Sequence, residues 1–264
     1  MTLLNKSMRV IPIKFFADNY CYAVFNKAKP VLSLVDPADF QAVSSFVESQ
    51  LPNLTLSYVF STHKHYDHSR DNLKIKELHP QVEIFGGEND SIPGVTTQVK
   101  DNQKLILSNG LEVRVLYTPC HTQGHVMFYF EGEPSVLFTG DTLFVGGCGK
   151  FFEGNAEDMH NSLEKVKQLR GDTQIYCGHE YTLSNLEWAA KVDTDNEYLM
   201  EKLKWVRQRR SKELETVPST VEEEMKTNPF MRAEKLAPAL GVDGPIEAIA
   251  KLRYMKNKAQ TLIP

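Results

Sequence analysis

Apolar residues in the first two thirds of the chain fall into short runs. Residues 9–15, 20–25, 31–35, 54–60, 82–85, 104–107, 111–116, 126–130 and 136–138 are rich in β-branched and aromatic side chains and are parted by Gly, Asn, Asp and Pro. That pattern predicts strands joined by turns, with Asn109-Gly110 closing a hairpin. Helical spacing interrupts it at 38–49 after Asp36-Pro37, again after His68, and at 156–169, where Asn155 is placed to cap a helix and Gly171 to end it. Strands alternating with helices, antiparallel hairpins among them, predict stacked sheets covered by helices, an α/β (α+β) fold.

The pattern changes near Tyr181. Residues 186–191, 196–212, 221–226 and 246–258 carry helical spacing with Pro or Gly between them. The chain therefore divides into a sheet-built part, 1–180, and a small helical C-terminal domain, 181–264. Lys202, Lys204, Arg207, Arg209, Arg210 and Lys212 crowd one helix flanked by Glu201 and Glu213, which reads as a solvated face.

With 264 residues, 41% of them hydrophobic, the chain is long enough for one large core. A formal charge of −4 argues against a nucleic-acid or membrane-surface binder, and no apolar run approaches the ~20 residues that cross a bilayer. The first residues carry neither a secretory signal pattern nor good transit-peptide character. The expectation is a cytoplasmic monomer, a mitochondrial form being compatible. Cys21, Cys120, Cys148 and Cys177 are widely spaced without a CxxC pair, so they read as reduced thiols rather than a disulfide or zinc framework.

The chemistry concentrates between Thr62 and Asn72, in THKHYDHSRDN. His63, His65, Asp67 and His68 leave the end of an apolar strand together. Burying such groups without a cation would strand several costly polar atoms, so the window predicts a metal site. Alternation sets His63 and His65 on one side, while Asp67 and His68, beyond the turn, face a second ion. Three later segments follow apolar strands in the same way: TPCHTQGH at 118–125, FTGDTLF at 138–144 and IYCGHEY at 175–181. They offer His121, Asp141 and His179 as further ligands. Cys120 reads as packing beside the site. Asp36 is open to two roles, orienting a ligating imidazole or serving a turn or helix cap.

With these motifs in place, and NPFMR at 228–232 downstream, the chain resembles the glyoxalase II, or hydroxyacylglutathione hydrolase, branch of the metallo-β-lactamase superfamily. The resemblance implies a four-layer αββα sandwich with a small C-terminal helical domain that binds glutathione. It implies that His63, His65 and His121 hold one metal, that Asp67, His68 and His179 hold another, and that Asp141 bridges them, with Asp67 and Asp141 catalytic. His125 is outside that set and reads as structural. The implied cofactors are two divalent metal ions, zinc first, with iron or manganese also suited to imidazole and carboxylate donors. The implied reaction is hydrolysis of a small-molecule glutathione thioester, as in methylglyoxal detoxification. Lys150, Tyr181, Asn185, Arg253 and Lys256 would grip the glutathione moiety; for the last two, an exposed C-terminal helix is the competing reading.

Two features depart from the branch's pattern. Phe152 stands where a tyrosine is usual, removing a hydroxyl contact, and Arg70-Asp71 replaces two glycines after the first motif, which predicts added bulk and charge at the mouth of the site. A similar fold also serves a persulfide dioxygenase with a single iron, against which the seven-ligand set stands. A low-turnover binding or scaffold protein is a further reading, and an intact ligand set argues against it.

Overall fold

The computed structural model describes residues 8–26 and 29–261. Its first sheet orders β1 (Met8–Phe15), β2 (Asn19–Asn26), β3 (Val31–Val35), β4 (Thr55–Ser61), β5 (Glu83–Gly87) and β6 (Thr97–Val99) as neighbours. β1, β2 and β3 pair antiparallel, and β3 to β6 pair parallel. The parallel pairs need crossovers: α1 (Phe40–Gln50) lies between β3 and β4, α2 (Tyr66–Ser69) and α3 (Asn72–Leu78) lie between β4 and β5, and a loop joins β5 to β6.

The second sheet is built from β7 (Lys104–Ile106), β8 (Glu112–Tyr117), β9 (Val126–Glu131), β10 (Val136–Gly140), β13 (Gln174–Cys177) and β14 (Ser219–Thr220), in the spatial order β14-β13-β10-β9-β8-β7. A short hairpin, β11 (Leu143–Phe144) with β12 (Gly147–Cys148), follows β10, and α4 (Ala156–Lys167) precedes β13. The remaining helices are α5 (Thr182–Val192), α6 (Glu197–Arg210), α7 (Val221–Thr227), α8 (Ala233–Leu240) and α9 (Pro245–Thr261).

Hydrophobic side chains sort into three layers. Between the sheets lie Tyr22, Phe60, Phe85, Phe128, Phe130 and Phe138. Phe60 meets Phe128 at 4.9 Å and Phe130 at 5.3 Å between ring centroids, both edge-on, pairs that add about 0.5–1.5 kcal/mol each beyond area burial. Leu32, Leu34, Val43, Val59 and Ile75 seal α1 and α3 onto the first sheet. On the far side, Met127, Leu137, Met159 and Ile175 share one core with Trp188, Leu203, Phe230 and Leu252, so apolar packing runs unbroken from the second sheet into the helices that follow residue 180. Helix, sheet, sheet and helix make the αββα sandwich.

The apolar runs correspond to strands throughout, and Asn109-Gly110 sits in the loop joining β7 to β8. Asn155 caps α4 through a capping box, accepting from Glu157 N at 2.8 Å and Asp158 N at 3.1 Å. That helix stops at Lys167 with Gln168 as its cap, short of Gly171. Helix α8 has no counterpart in the sequence expectation, because Pro238 inside it masks the spacing; Gly241, at φ +66°, closes it.

The basic run on α6 is not uniformly solvated. Lys202 is buried, with Nζ 2.7 Å from Glu224 Oε1 and 2.8 Å from Ser219 Oγ. Glu224 Oε2 in turn accepts from Gly146 N at 2.8 Å, while Asn228 Nδ2 donates to Phe144 O and Gly147 O at 3.2 and 2.9 Å. A buried charge persists where it is paired and fully hydrogen-bonded, and this network ties α6 and α7 to the hairpin that follows Asp141.

Candidate metal centre

The loops bearing the candidate ligands leave the same rim of the sandwich. β4 leads to His63 and His65, β8 to His121, β10 to Asp141 and β13 to His179. Because β4 lies parallel to β3, and β10 to β13, the carboxyl ends of these strands open together. One helical turn, α2, then carries Asp67 and His68.

The side chains converge in two halves. His63 Nε2 and His121 Nε2 each lie 3.0 Å from His65 Nδ1. His179 Nε2 lies 3.2 Å from His68 Nε2 and 3.3 Å from Asp67 Oδ2. Asp141 reaches both halves: Oδ1 is 3.3 Å from His68 Nε2, and Oδ2 is 3.4 Å from both His121 Nε2 and His179 Nε2. Within each of three sets, His63-His65-His121, His63-His68-Asp141 and Asp67-His68-His179, the possible ligand atoms lie within 4.8 Å of one another.

Outward contacts fix which nitrogen points in. His68 Nδ1 donates to Asp36 Oδ2 at 3.0 Å, His179 Nδ1 to Asp18 Oδ1 at 2.8 Å and His121 Nδ1 to the Lys150 carbonyl at 2.9 Å. His63 Nδ1 faces Thr62 Oγ1 at 3.0 Å. Asp36 is therefore an orienting carboxylate. It also takes both the amide and the hydroxyl of Thr62, at 2.8 and 2.7 Å, while the cap of α1 is Asp39. His125, wholly buried, accepts from Asp141 N at 3.2 Å through Nε2 and stacks on His63, which makes it a structural support for Asp141.

With their outer nitrogens engaged, His63 and His121 aim lone pairs inward, where too few protons exist to join every facing atom. Asp141 Oδ1, buried, has no hydrogen-bond partner. Burial, with His68 alongside, holds His63 well below the usual histidine range, in the neutral form a metal takes. Against burial, Asp141, Asp67 and Asp18 push His179 up to about 11, a proton held where a cation would otherwise satisfy the carboxylates. Likewise, although burial opposes it, His68 and His179 keep Asp141 well below the carboxylate range. Imidazole and carboxylate donors in this density fit divalent metal ions.

A cleft of about 470 Å³ opens beside the cluster, and Lys150, Tyr181, Asn185, Arg253 and Lys256 all line it. Tyr181 stacks on His179 at 4.6 Å with the rings nearly parallel. Arg253 and Lys256 are not on an exposed helix face: each is only 4% exposed. Arg253 Nη1 donates to the Cys148 carbonyl at 3.1 Å, and Lys256 Nζ donates to Asn185 Oδ1. Phe152 lines the cleft as well, 5.1 Å from the His121 ring. Cys120 is buried, and burial pushes its thiol well up, as packing implies.

Arg70 and Asp71 depart from the expectation. Neither lines the cleft. Arg70 Nε pairs with Asp71 Oδ1 at 3.0 Å and its guanidinium lies over Phe16 and Tyr66, while Asp71 Oδ2 accepts from Phe40 N at 2.8 Å. Asp71 is drawn to the start of α1, so the charge is spent bracing the outer layer. Asp18 and Asn19 were legible only as a turn between two strands; their place at the metal rim needs the strand order.

The sandwich and its cluster define a metallo-β-lactamase-fold protein with donors suited to divalent metal ions. The family model described as "Metallo-beta-lactamase superfamily" matches residues 18–179, and that described as "Hydroxyacylglutathione hydrolase C-terminus" matches residues 180–259. The chain belongs to the hydroxyacylglutathione hydrolase family. It is 42% identical over 257 residues to the cytoplasmic hydroxyacylglutathione hydrolase of Arabidopsis thaliana, spanning 95% of this chain and 99% of that one. The hydroxyacylglutathione hydrolase of Pelagibacter ubique is 39% identical over 251 residues, spanning 95% and 99%. Among solved structures, ETHE1 from Myxococcus xanthus superposes with a TM-score of 0.67 at 23% identity, covering 97% of this chain and 92% of that one, a likeness of fold.

Proposed function

We propose that this enzyme, a thiolester hydrolase, cleaves an S-2-hydroxyacylglutathione such as S-D-lactoylglutathione into glutathione and a 2-hydroxy acid, with the work divided between two regions. The carrying observation is the continuity of the cleft, whose lining joins five of the convergent donors, His65, Asp67, His121, Asp141 and His179, to the buried side chains of Arg253 and Lys256.

Residues 1–180 hold the metals. His63, His65 and His121 would hold one ion, Asp67, His68 and His179 the other, with Asp141 placed between the two sets. Zinc is the leading metal, and iron or manganese suits the same donors. Divalent ions at such a site supply Lewis acidity and bring a water's pKa from ~15.7 toward neutrality, so hydroxide is available at physiological pH. Asp67 accepts the hydrogen bond of Asn19 and has one edge toward the cleft, where it orients the attacking oxygen. The departing thiol has an ordinary pKa near ~8.5, so the thiolate leaves without a strong general acid.

Residues 181–264, with Lys150, grip glutathione. The cationic ends of Lys150, Arg253 and Lys256 meet its carboxylates, and Tyr181 and Asn185 fix the backbone between. Phe152 offers an apolar face where a hydroxyl is usual in the branch. The likeness to the cytoplasmic hydroxyacylglutathione hydrolase of Arabidopsis supports a cytoplasmic setting. Donors for two ions favour this reading over a single-iron persulfide dioxygenase.

Lys256 gives the reaction a pH dependence. Burial first, then Arg253, lowers its ammonium to about 7. Below that pH it is cationic and holds a carboxylate; above it the charge is lost. The expected result is a kcat/KM that falls on the alkaline side of about 7 through a rising KM, and a Lys256→Arg variant that lacks this limb, read from pH profiles of both proteins.

The direct test is one sample taken through thioesterase assay and metal analysis. Close to two metals per chain with S-D-lactoylglutathione turned over is the expected outcome; a two-metal preparation inert toward glutathione thioesters would sink the reading.

A further inference from the structure

The turn between β1 and β2 and the first residue of β2 carry two polar side chains that reach the same half of the metal cluster. Asp18 Oδ1 accepts from His179 Nδ1 at 2.8 Å. Asn19, 5% exposed, donates from Nδ2 to Asp67 Oδ2 at 3.0 Å and to the Asp67 carbonyl at 3.2 Å. His68, the third member of that half, donates to Asp36. Both of its imidazoles are thus backed by carboxylates, whereas His63 and His121 meet a hydroxyl and a carbonyl.

We propose that Asp18 and Asn19 are positioning residues that set the affinity of the Asp67-His68-His179 half-site for its ion, separately from the His63-His65-His121 half. The inference rests on the ligand assignment made under the proposed function. A carboxylate accepting the outer N–H fixes the tautomer and aim of an imidazole and raises its basicity. Asn19 does the complementary work for Asp67, a side chain with one open edge, by holding Oδ2 toward His179.

The turn is firmly built in. Glu180 N donates to Asp18 O at 2.8 Å and Tyr20 N to Gly178 O at 2.9 Å, clasping the turn to the segment that bears His179. Tyr20 Oη donates to Glu180 Oε2 at 2.6 Å, and the Arg70 guanidinium lies 4.8 Å from the Phe16 ring on the outer side. Arg70 thereby braces the turn from the helical segment that follows His68.

The test is a titration of the metal-free full-length protein with Zn²⁺ against a chromophoric chelator, read as two dissociation constants. Asp18→Ala and Asn19→Ala are expected to weaken one ion by about 10–100-fold and leave the other unchanged, the usual cost of losing such an orienting partner. Asp18→Asn, which retains an acceptor without the charge, should fall between. Tyr20→Phe loses a hydrogen bond of the same turn without touching a ligand and should bind as the parent does.

Pairing with ligand variants assigns the half. In a His65→Ala background the effect of Asp18→Ala should persist, and in a His179→Ala background, where its partner is gone, it should vanish. Equal weakening of both ions, an equal effect from Tyr20→Phe, or no change in either constant would overturn the proposal. A parent protein that takes up fewer than two ions counts against the ligand assignment first, and is distinguished from these outcomes by the parent titration alone.

Discussion

Asparagine in place of Asp141 is expected to lower kcat by on the order of 10³-fold and to reduce metal content below two per chain, whereas Lys150→Ala should leave kcat near its starting value and mainly raise KM. The difference lies in what each side chain faces. Asp141 is 6% exposed and has one oxygen toward His68 and the other toward His121 and His179. An amide there turns N–H donors onto those imidazoles and removes the one charge shared by both halves, in a buried setting where such charges count most. Lys150 is exposed at the cleft wall, and a lost contact of that kind removes binding felt equally in ground and transition states. Steady-state kinetics and metal analysis on the two variants decide it; a larger kcat loss for Lys150→Ala would contradict the roles assigned.

A single methyl group should be nearly as damaging at Gly178. A Cβ built there falls on Asp141 Oδ1, lies 2.7 Å from His68 Cε1 and 3.3 Å from the Gly140 carbonyl. These neighbours cannot easily give way. Gly178 N donates to Gly140 O and Gly178 O accepts from Tyr20 N, both at 2.9 Å, while His68 is held by Asp36. The backbone of Gly178 is not left-handed, so any effect is steric rather than conformational. Gly178→Ala is expected to cost about 1–3 kcal/mol of stability through overpacking and to lose an ion from the cluster, with activity down at least about a hundredfold. Thermal unfolding and metal content measured together check this. Full activity with two ions would show that the cluster tolerates displacement.

Much of the architecture was legible because strand formation depends on local patterning. Runs such as 126–130 alternate little and are buried on both faces, as strands between layers must be. The convergent His and Asp side chains were legible as candidate ligands for a related reason: polar, metal-competent residues placed just after apolar strands have little to do in an ordinary loop. Helix α8 escaped because Pro238 breaks its periodicity, and the buried state of Lys202 escaped because periodicity on α6 cannot reveal that Glu224 and Ser219 lie opposite.

The sequence by itself determined the strand-and-helix pattern, the seven candidate donor side chains and the family they resemble, all properties of residue type and short spacing. Only the tertiary structure decided which donors meet, since that follows from β4 lying parallel to β3 and β10 parallel to β13, which carries loops distant in the chain to one rim. It alone decided that Asp36 and Asp18 back the imidazoles of one half, that Arg253 and Lys256 are buried in the cleft wall, and that Arg70 and Asp71 turn away from it toward α1 and the β1–β2 turn. Side-chain chemistry is written locally, but direction and partnership depend on strand order and helix placement, which no short window of sequence contains.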